Sequence, residues 1–147
     1  MDTGLKIDKR SSLGAEGERL AAEFLRESGY RLVAANFKVP VGRNTKGVQV
    51  TGEIDIIALD GETLCFIEVK TRSSEQFAPA IAAVDLQKQR QITRTAKIYR
   101  RIFALADMPF RFDVITVVPG PVPDIRHTKS FWTEAKFKKR RWRDELL

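Results

Sequence analysis

The stretch GEIDIIALDGETLCFIEVKTR (52–72) constrains the fold of this chain more than any other segment. Two apolar runs flank Asp60-Gly61, a pair that marks a tight hairpin between strands at 53–59 and 63–71. In the second run Leu64, Phe66, Ile67 and Val69 put apolar groups on both faces. A strand buried on both faces lies centrally in its sheet, so other layers must cover it above and below. The surrounding pattern supplies such layers. Residues 13–28 read as a helix ending at Gly29, and 30–39 as a strand. The segment 40–52, with Pro40 and three glycines, reads as a loop. A long helix is expected over 83–106 and a further strand over 110–118. The order α-β-β-β-α-β predicts an α/β sandwich with a mixed sheet. Residues 1–12 read as a mobile tail, 13–120 as the domain, and 121–147 as a basic extension.

The same stretch carries charges that a central hairpin should not contain. With Asp60-Gly61 as a two-residue turn, Asp55 falls opposite Phe66 and Glu53 opposite Glu68. Glu53, Asp55, Glu68 and Lys70 then share one face, at the end away from the turn. Asp55 and Glu68 become diagonal neighbours, roughly 7–8 Å apart at the backbone. Two carboxylates reaching inward from that distance can grip one cation, because Mg²⁺–oxygen distances are about 2.0–2.1 Å. The competing reading is a salt-bridged cluster in which Lys70 neutralises Glu68. Oxygen ligands favour Mg²⁺ or Mn²⁺ over zinc. His127 is the only histidine and Cys65 the only cysteine, which disfavours a histidine-rich centre and excludes a cysteine cluster or an internal disulfide.

Helical periodicity adds candidates. Leu20, Ala21, Phe24 and Leu25 form an apolar stripe with Gly17 near its middle, where a glycine lets the helix lie close to the sheet. Glu18 sits at the stripe's edge, placed either to reach water or to point at the site of Asp55. In the second helix Ile92, Thr95, Ala96, Tyr99, Ile102 and Phe103 share a face. Arg90, Arg94, Lys97, Arg100 and Arg101 lie largely opposite, as a basic stripe suited to phosphates. Lys88 projects inward near the helix start, either snorkelling or contacting substrate phosphate.

The net charge of +7 suggests an anionic partner, nucleic acid first. Much of the excess lies in residues 126–147, with eight lysines and arginines against three acids. There Trp132, Phe137 and Trp142 interleave with basic residues, as stacking and phosphate contact would require, or as anchors of a solvated tail would. No apolar run approaches a membrane span, and no secretory h-region is visible, so a cytoplasmic setting with no membrane partner is expected.

Asp55 followed by Glu68-Val69-Lys70 resembles the PD-(D/E)xK nuclease signature. GAEGERLAAEFL (14–25), NFK (36–38), GEIDIIALD (52–60), FIEVKTR (66–72), Lys88 and RFDVITV (111–117) together resemble the YraN-like family of predicted endonucleases. The match runs over about residues 13–131. It implies a restriction-endonuclease-like three-layer sandwich, similar to archaeal Holliday-junction resolvases. It also implies a catalytic set of Glu18, Asp55, Glu68 and Lys70, with Mg²⁺ or Mn²⁺ held by Asp55, Glu68 and Glu18. Arg72, Lys88, Arg90, Arg94, Lys97, Lys138, Lys139, Arg140 and Arg141 are the candidate nucleic-acid contacts. This sequence departs from the family pattern in a longer loop at 40–51, in Ala78 of FAPA (77–80), and in the basic tail. The expected function is a metal-dependent endonuclease acting on DNA in preference to RNA, branched or structured DNA included. Cutting a symmetric junction would favour a homodimer. The alternative is a non-catalytic nucleic-acid-binding module or a partner in a DNA-processing complex.

Overall fold

The computed structural model describes residues 9–74 and 84–138. Helix α1 (Lys9–Glu27) leads into strands β1 (Arg31–Arg43), β2 (Gln49–Asp60) and β3 (Thr63–Thr71). Helix α2 (Leu86–Ile102), strands β4 (Phe110–Val118) and β5 (Asp124–Trp132), and a 3₁₀ turn (Glu134–Phe137) follow. The sheet runs β1-β2-β3-β4-β5 in space, with β3 and β4 parallel and every other pair antiparallel. This is the expected α/β sandwich with a mixed central sheet, consistent with a restriction-endonuclease-like fold. No helix among the described residues is long and apolar enough to cross a membrane.

β3 is central, as its two-faced apolarity requires. Leu64 and Phe66 enter a core beneath α2 with Ile57, Ile92, Ala96, Tyr99, Phe112 and Val114. Cys65, Ile67 and Val69 enter a second core beneath α1 with Ala21, Leu25, Ile56, Ile115 and Val117. Alternation along one strand thus feeds two layers, each closed by one amphipathic helix.

Both helices end by glycine-like geometry, and one ends early. After α1, Gly29 adopts φ 88° and Tyr30 N–H donates to the Leu25 carbonyl at 2.9 Å. The helix starts at Lys9, so it reaches back into the stretch read as a mobile tail. α2 starts beyond Asp85, whose carboxylate accepts from Lys88 N–H at 2.9 Å. It stops at Ile102 rather than 106, because Ala104 turns left-handed at φ 54° and Leu105 N–H bonds back to Arg100. Ile102 and Phe103 are consequently more than half exposed instead of continuing the buried face.

Three expectations are corrected. Asp60 pairs with Thr63, so the turn residues are Gly61 and Glu62, with Gly61 at φ 58° in the first loop position. The register moves by two positions, which preserves every facing around the turn but brings Asp55 level with Glu68 instead of diagonal to it. The segment 40–52 is not a loop. β1 and β2 continue through it as a hairpin whose turn is 44–48. Asn44 Oδ1 accepts from the N–H groups of Lys46 and Val48 there. Pro40 pairs with Thr51 and is tolerated because β1 is an edge strand. Lastly, β5 falls inside the stretch read as an appended tail. Trp132 is buried, stacks on Phe112 at 4.9 Å and donates its indole N–H to Thr93. It is a core anchor and not a stacking platform for bases. Trp142 and FAPA (77–80) lie outside the described residues.

Two glycines set how close the helices come. A Cβ on Gly17 would overlap the Thr71 hydroxyl, and one on Gly52 would overlap the Thr95 hydroxyl and Val41. Gly17 therefore lets α1 lie against the end of β3, as its place in the stripe suggests. Gly17→Ala is expected to cost about 1–3 kcal/mol through overpacking. Thermal melts should show the loss, and Thr71→Ala in the same chain should recover part of it.

Candidate active site

The β2–β3 ladder runs from Asp60–Thr63 to Ile56–Ile67 and stops. At the next position a side chain replaces the backbone acceptor: Asp55 Oδ2 takes the Val69 N–H at 2.8 Å. The chain is irregular at this level. Ile54 packs in the α2-side core and Ile56 in the α1-side core, so simple alternation breaks at Asp55. On the neighbouring strand Asn36 adopts φ 53°, a left-handed conformation that asparagine tolerates. β2 and β3 part here, and the opening between them is the site.

Glu18, Asp55, Glu68 and Lys70 all line one open cavity of about 570 Å³, with Gly14 and Arg72 also at its wall. Glu68 lies between Ile67 and Val69 of the α1-side core and so projects to the α2 face, 3% exposed. Its Oε1 receives Lys70 Nζ at 3.3 Å and Lys88 Nζ at 3.8 Å. Its Oε2 is buried and has no hydrogen-bond partner among the described residues. Burial pushes the Glu68 carboxyl up to about 7, with the Asp55 charge acting the same way and Lys88 and Lys70 opposing. Glu18 is also raised, by burial first and then by the Asp55 charge, while an Asn36 hydrogen bond pulls it down. The NFK motif thus supports the site: Asn36 bonds Glu18, and Phe37 packs edge-on against Tyr99 at 5.0 Å.

The remaining expected residues divide. Glu53 pairs with Lys38 across β1–β2 and adds its charge to the Glu18 environment, not to Glu68. The irregularity at Asp55 takes it off the shared face expected from strict alternation. Lys88 stands at the rim. Arg90 and Arg94 are exposed and line an adjacent groove. Lys97, Arg101 and Lys138 are exposed. Arg100 leaves the basic stripe: it is buried over the Phe110 ring at 3.8 Å and bonds Glu134 at 3.0 Å. Lys139, Arg140 and Arg141 lie outside the described residues. Among the described residues, no three aspartate, glutamate, histidine or cysteine side chains gather closely enough to enclose an ion.

One polar cluster escaped the sequence reading. Asp113 is fully buried and accepts from Arg111 Nε at 3.0 Å, the Ser130 N–H at 3.0 Å and His127 Nε2 at 2.8 Å. Arg111 also donates to Asp60 at 2.9 Å and to the Tyr30 hydroxyl at 2.7 Å. Burial alone would raise the Asp113 carboxyl, but the bonds from His127, Ser130 and Arg111 outweigh it and hold it below the usual range. The available signal was Arg111 and Asp113 two residues apart in an otherwise apolar run, FRFDVITVV, on one face. This cluster ties α1's exit, β2, β4 and β5 together and takes no part in the cavity.

A mixed sheet between two helices, with an aspartate at a strand irregularity and Glu-x-Lys on the next strand, defines a restriction-endonuclease-like protein of the PD-(D/E)xK class. The model of the uncharacterised protein family UPF0102 matches residues 17–117. A UPF0102 protein of Koribacter versatilis is 44% identical over 118 residues, 80% of this chain and 76% of that one. One from Symbiobacterium thermophilum is 42% identical over 109 residues, 74% of this chain and 84% of the other. The chain belongs to UPF0102, the YraN family, which is a PD-(D/E)xK-like nuclease family. The crystal structure of SSO0001 aligns with 88% of this chain and 56% of its own, at 16% identity and a TM-score of 0.40, a likeness too slight to bear on function.

Two outcomes follow for stability. A carboxyl raised in the folded state keeps a proton that the unfolded chain loses from about pH 4.5 upward, so its burial costs most above about pH 7. Glu68→Gln should therefore raise the melting temperature at pH 8 in a chelator by a few degrees, and change it little at pH 5. Asp113 has the opposite sign, since its depressed value stabilises the fold above the usual carboxylate range and is lost as pH falls through it. Asp113→Ala removes the buried acceptor shared by Arg111, His127 and the Ser130 N–H, and should cost about 1–3 kcal/mol in denaturant titration.

Proposed function

We propose that this protein is a divalent-cation-dependent endonuclease that hydrolyses phosphodiester bonds in DNA, branched or structured DNA included. The observation that carries this reading is Glu68. A carboxylate buried to 3% exposure, with one oxygen unpartnered and a second carboxylate beside it, is held at an energetic disadvantage that a cation would relieve. Such strain at the mouth of an open cavity is characteristic of functional sites. Asp55 and Glu68 would hold Mg²⁺ or Mn²⁺, with Glu18 behind Asp55. Mg²⁺ in particular uses one or two carboxylates and completes its shell with water and substrate phosphate, so two donors suffice. Bound there, the ion would supply charge to the phosphoryl group and lower the pKa of the attacking water.

The chain's own residues do the rest. Lys70 places a positive charge 3.3 Å from Glu68, where it can orient the nucleophilic water and offset charge developing on the phosphate. Glu18, with its raised proton affinity, can take a proton at the cavity wall. Arg72 and Lys88 flank the cavity and would grip the scissile strand's phosphates. A cytoplasmic location and a homodimer on symmetric junctions accompany this reading.

A second reading is a binding module without turnover. The Lys70–Glu68 ion pair favours it, because a lysine can neutralise Glu68 with no cation present. That pair engages Oε1 and leaves Oε2 without a partner among the described residues, so it accounts for half of the carboxylate. Incubation with supercoiled, linear and four-way-junction DNA in Mg²⁺ or Mn²⁺ decides between them. Cleavage is expected, and Asp55→Ala or Lys70→Ala should lower it at least a hundredfold. Mn²⁺ should also raise the melting temperature of the wild type and not of Asp55→Ala. Cleavage that survives both substitutions would refute the mechanism. Salt-sensitive binding with no turnover in either metal would establish the binding module instead.

A further inference from the structure

Beside the catalytic cavity lies a second one, of about 570 Å³, between the β1–β2 hairpin and the first turns of α2. Arg43 and Asn44 stand on the hairpin side; Lys88, Arg90, Gln91 and Arg94 stand on the helix side. Four cations thus face one acid, Asp85, and that carboxylate is already engaged in capping α2. Lys88 belongs to both places: it lines this groove and its Nζ lies 3.8 Å from Glu68. Lys88 therefore links the groove to the Glu68 carboxylate.

We infer that this groove is a track for a single nucleic-acid strand, which enters along the hairpin and is delivered past Lys88 to the Glu68–Lys70 centre. The inference rests on the nuclease reading for the direction of the strand, but its binding chemistry stands separately. The volume lies within the ~300–1,000 Å³ of small-ligand sites, enough for a short run of nucleotides. The walls are an α-helix and a two-stranded ribbon, rigid elements that hold a row of cations at fixed spacing. A positively charged groove of this kind follows the phosphate backbone of a single strand. Among the described residues its lining includes no aromatic ring, so those residues read phosphates and not bases. Val41 and Val50 form an apolar floor on the hairpin side, where sugars can rest.

The placement of the cations supports a ligand over mere solubility. Arg94 is exposed and makes no ion pair within the described residues. Arg43 is held over the groove by its bond to the Gly47 carbonyl at 2.8 Å. Arg90 lies over the Phe137 ring at 5.6 Å, which fixes its stem while leaving its hydrogen-bonding edge open. The substrate class that suits a single-strand track beside a nuclease centre is DNA with an unpaired arm: a flap, a fork or a splayed junction.

Binding is measured by fluorescence anisotropy in a chelator, so that no cleavage intervenes. The probes are a labelled single-stranded oligonucleotide, a forked duplex with an unpaired arm, and a blunt duplex. The wild type should bind the first two more tightly than the third. Arg43→Glu/Arg94→Glu should weaken single-strand and fork binding at least tenfold. It should also lower the salt slope by about 1.4, at ~0.7 per phosphate contact. Arg94→Glu alone, a surface change with no internal bond to lose, should give part of the effect. Arg31→Glu, at the opposite end of β1, should give none. Equal single-strand affinity in wild type and double variant, or a wild type that prefers blunt duplex, overturns the track. Because this readout needs no turnover, an absence of metal-dependent cleavage would sink the nuclease reading and leave the track standing. Cleavage of forks undiminished by the double variant would do the reverse.

Discussion

The hydrogen bond from Val69 N–H to Asp55 Oδ2 is the contact on which the site depends. A buried N–H of a central strand has to be satisfied, and here a side chain does what the neighbouring strand's carbonyl would ordinarily do. That substitution lets β2 leave β3 without stranding a backbone donor. It also fixes the Asp55 carboxylate at the fork, level with Glu68. One interaction thus ends a ladder, opens a cavity and orients a candidate ligand.

The layers around the fork convert that local event into electrostatics. Because both faces of β3 are covered, Glu68 is enclosed by protein on nearly every side, and its charge is costly. α1 brings Glu18 near because Gly17 allows close approach to Thr71. α2 brings Lys88 near because Asp85 starts the helix one turn earlier. Glu18 and Glu68 are both raised, by burial first and then by the charge of Asp55, which lies near each of them. At the far end of the sheet the opposite solution holds. Asp113 is even more deeply buried, yet it is surrounded by donors and is depressed. One carboxylate is satisfied and structural; the other has an oxygen with no partner among the described residues.

The extended β1–β2 hairpin shows how edge strands relax the usual rules. Pro40 and Gly42 would disrupt a central strand, but on an edge a missing donor faces outward. The hairpin then carries Arg43 out to face α2, forming a basic groove also lined by Lys88, whose Nζ lies 3.8 Å from Glu68.

The sequence by itself determined the layers, the central position of β3, the packing role of Gly17, and the candidates Glu18, Asp55, Glu68 and Lys70. Apart from Glu18, whose helix position left water or the site open and whose role came from the family resemblance, these follow from periodicity and from charges in an apolar run, both of which are local properties. The place where alternation breaks, and with it the departure of Glu53 from the shared face, was decided only by tertiary structure. So were the length of the hairpin, the burial of Trp132 and Arg100, and the Arg111–Asp113–His127 cluster. Those features depend on partners far along the chain: Thr93 for Trp132, Glu134 and Phe110 for Arg100, His127 for Asp113. A strand's pattern states which residues turn inward. It does not state which neighbour will be there to meet them, because that is set by how the sheet closes.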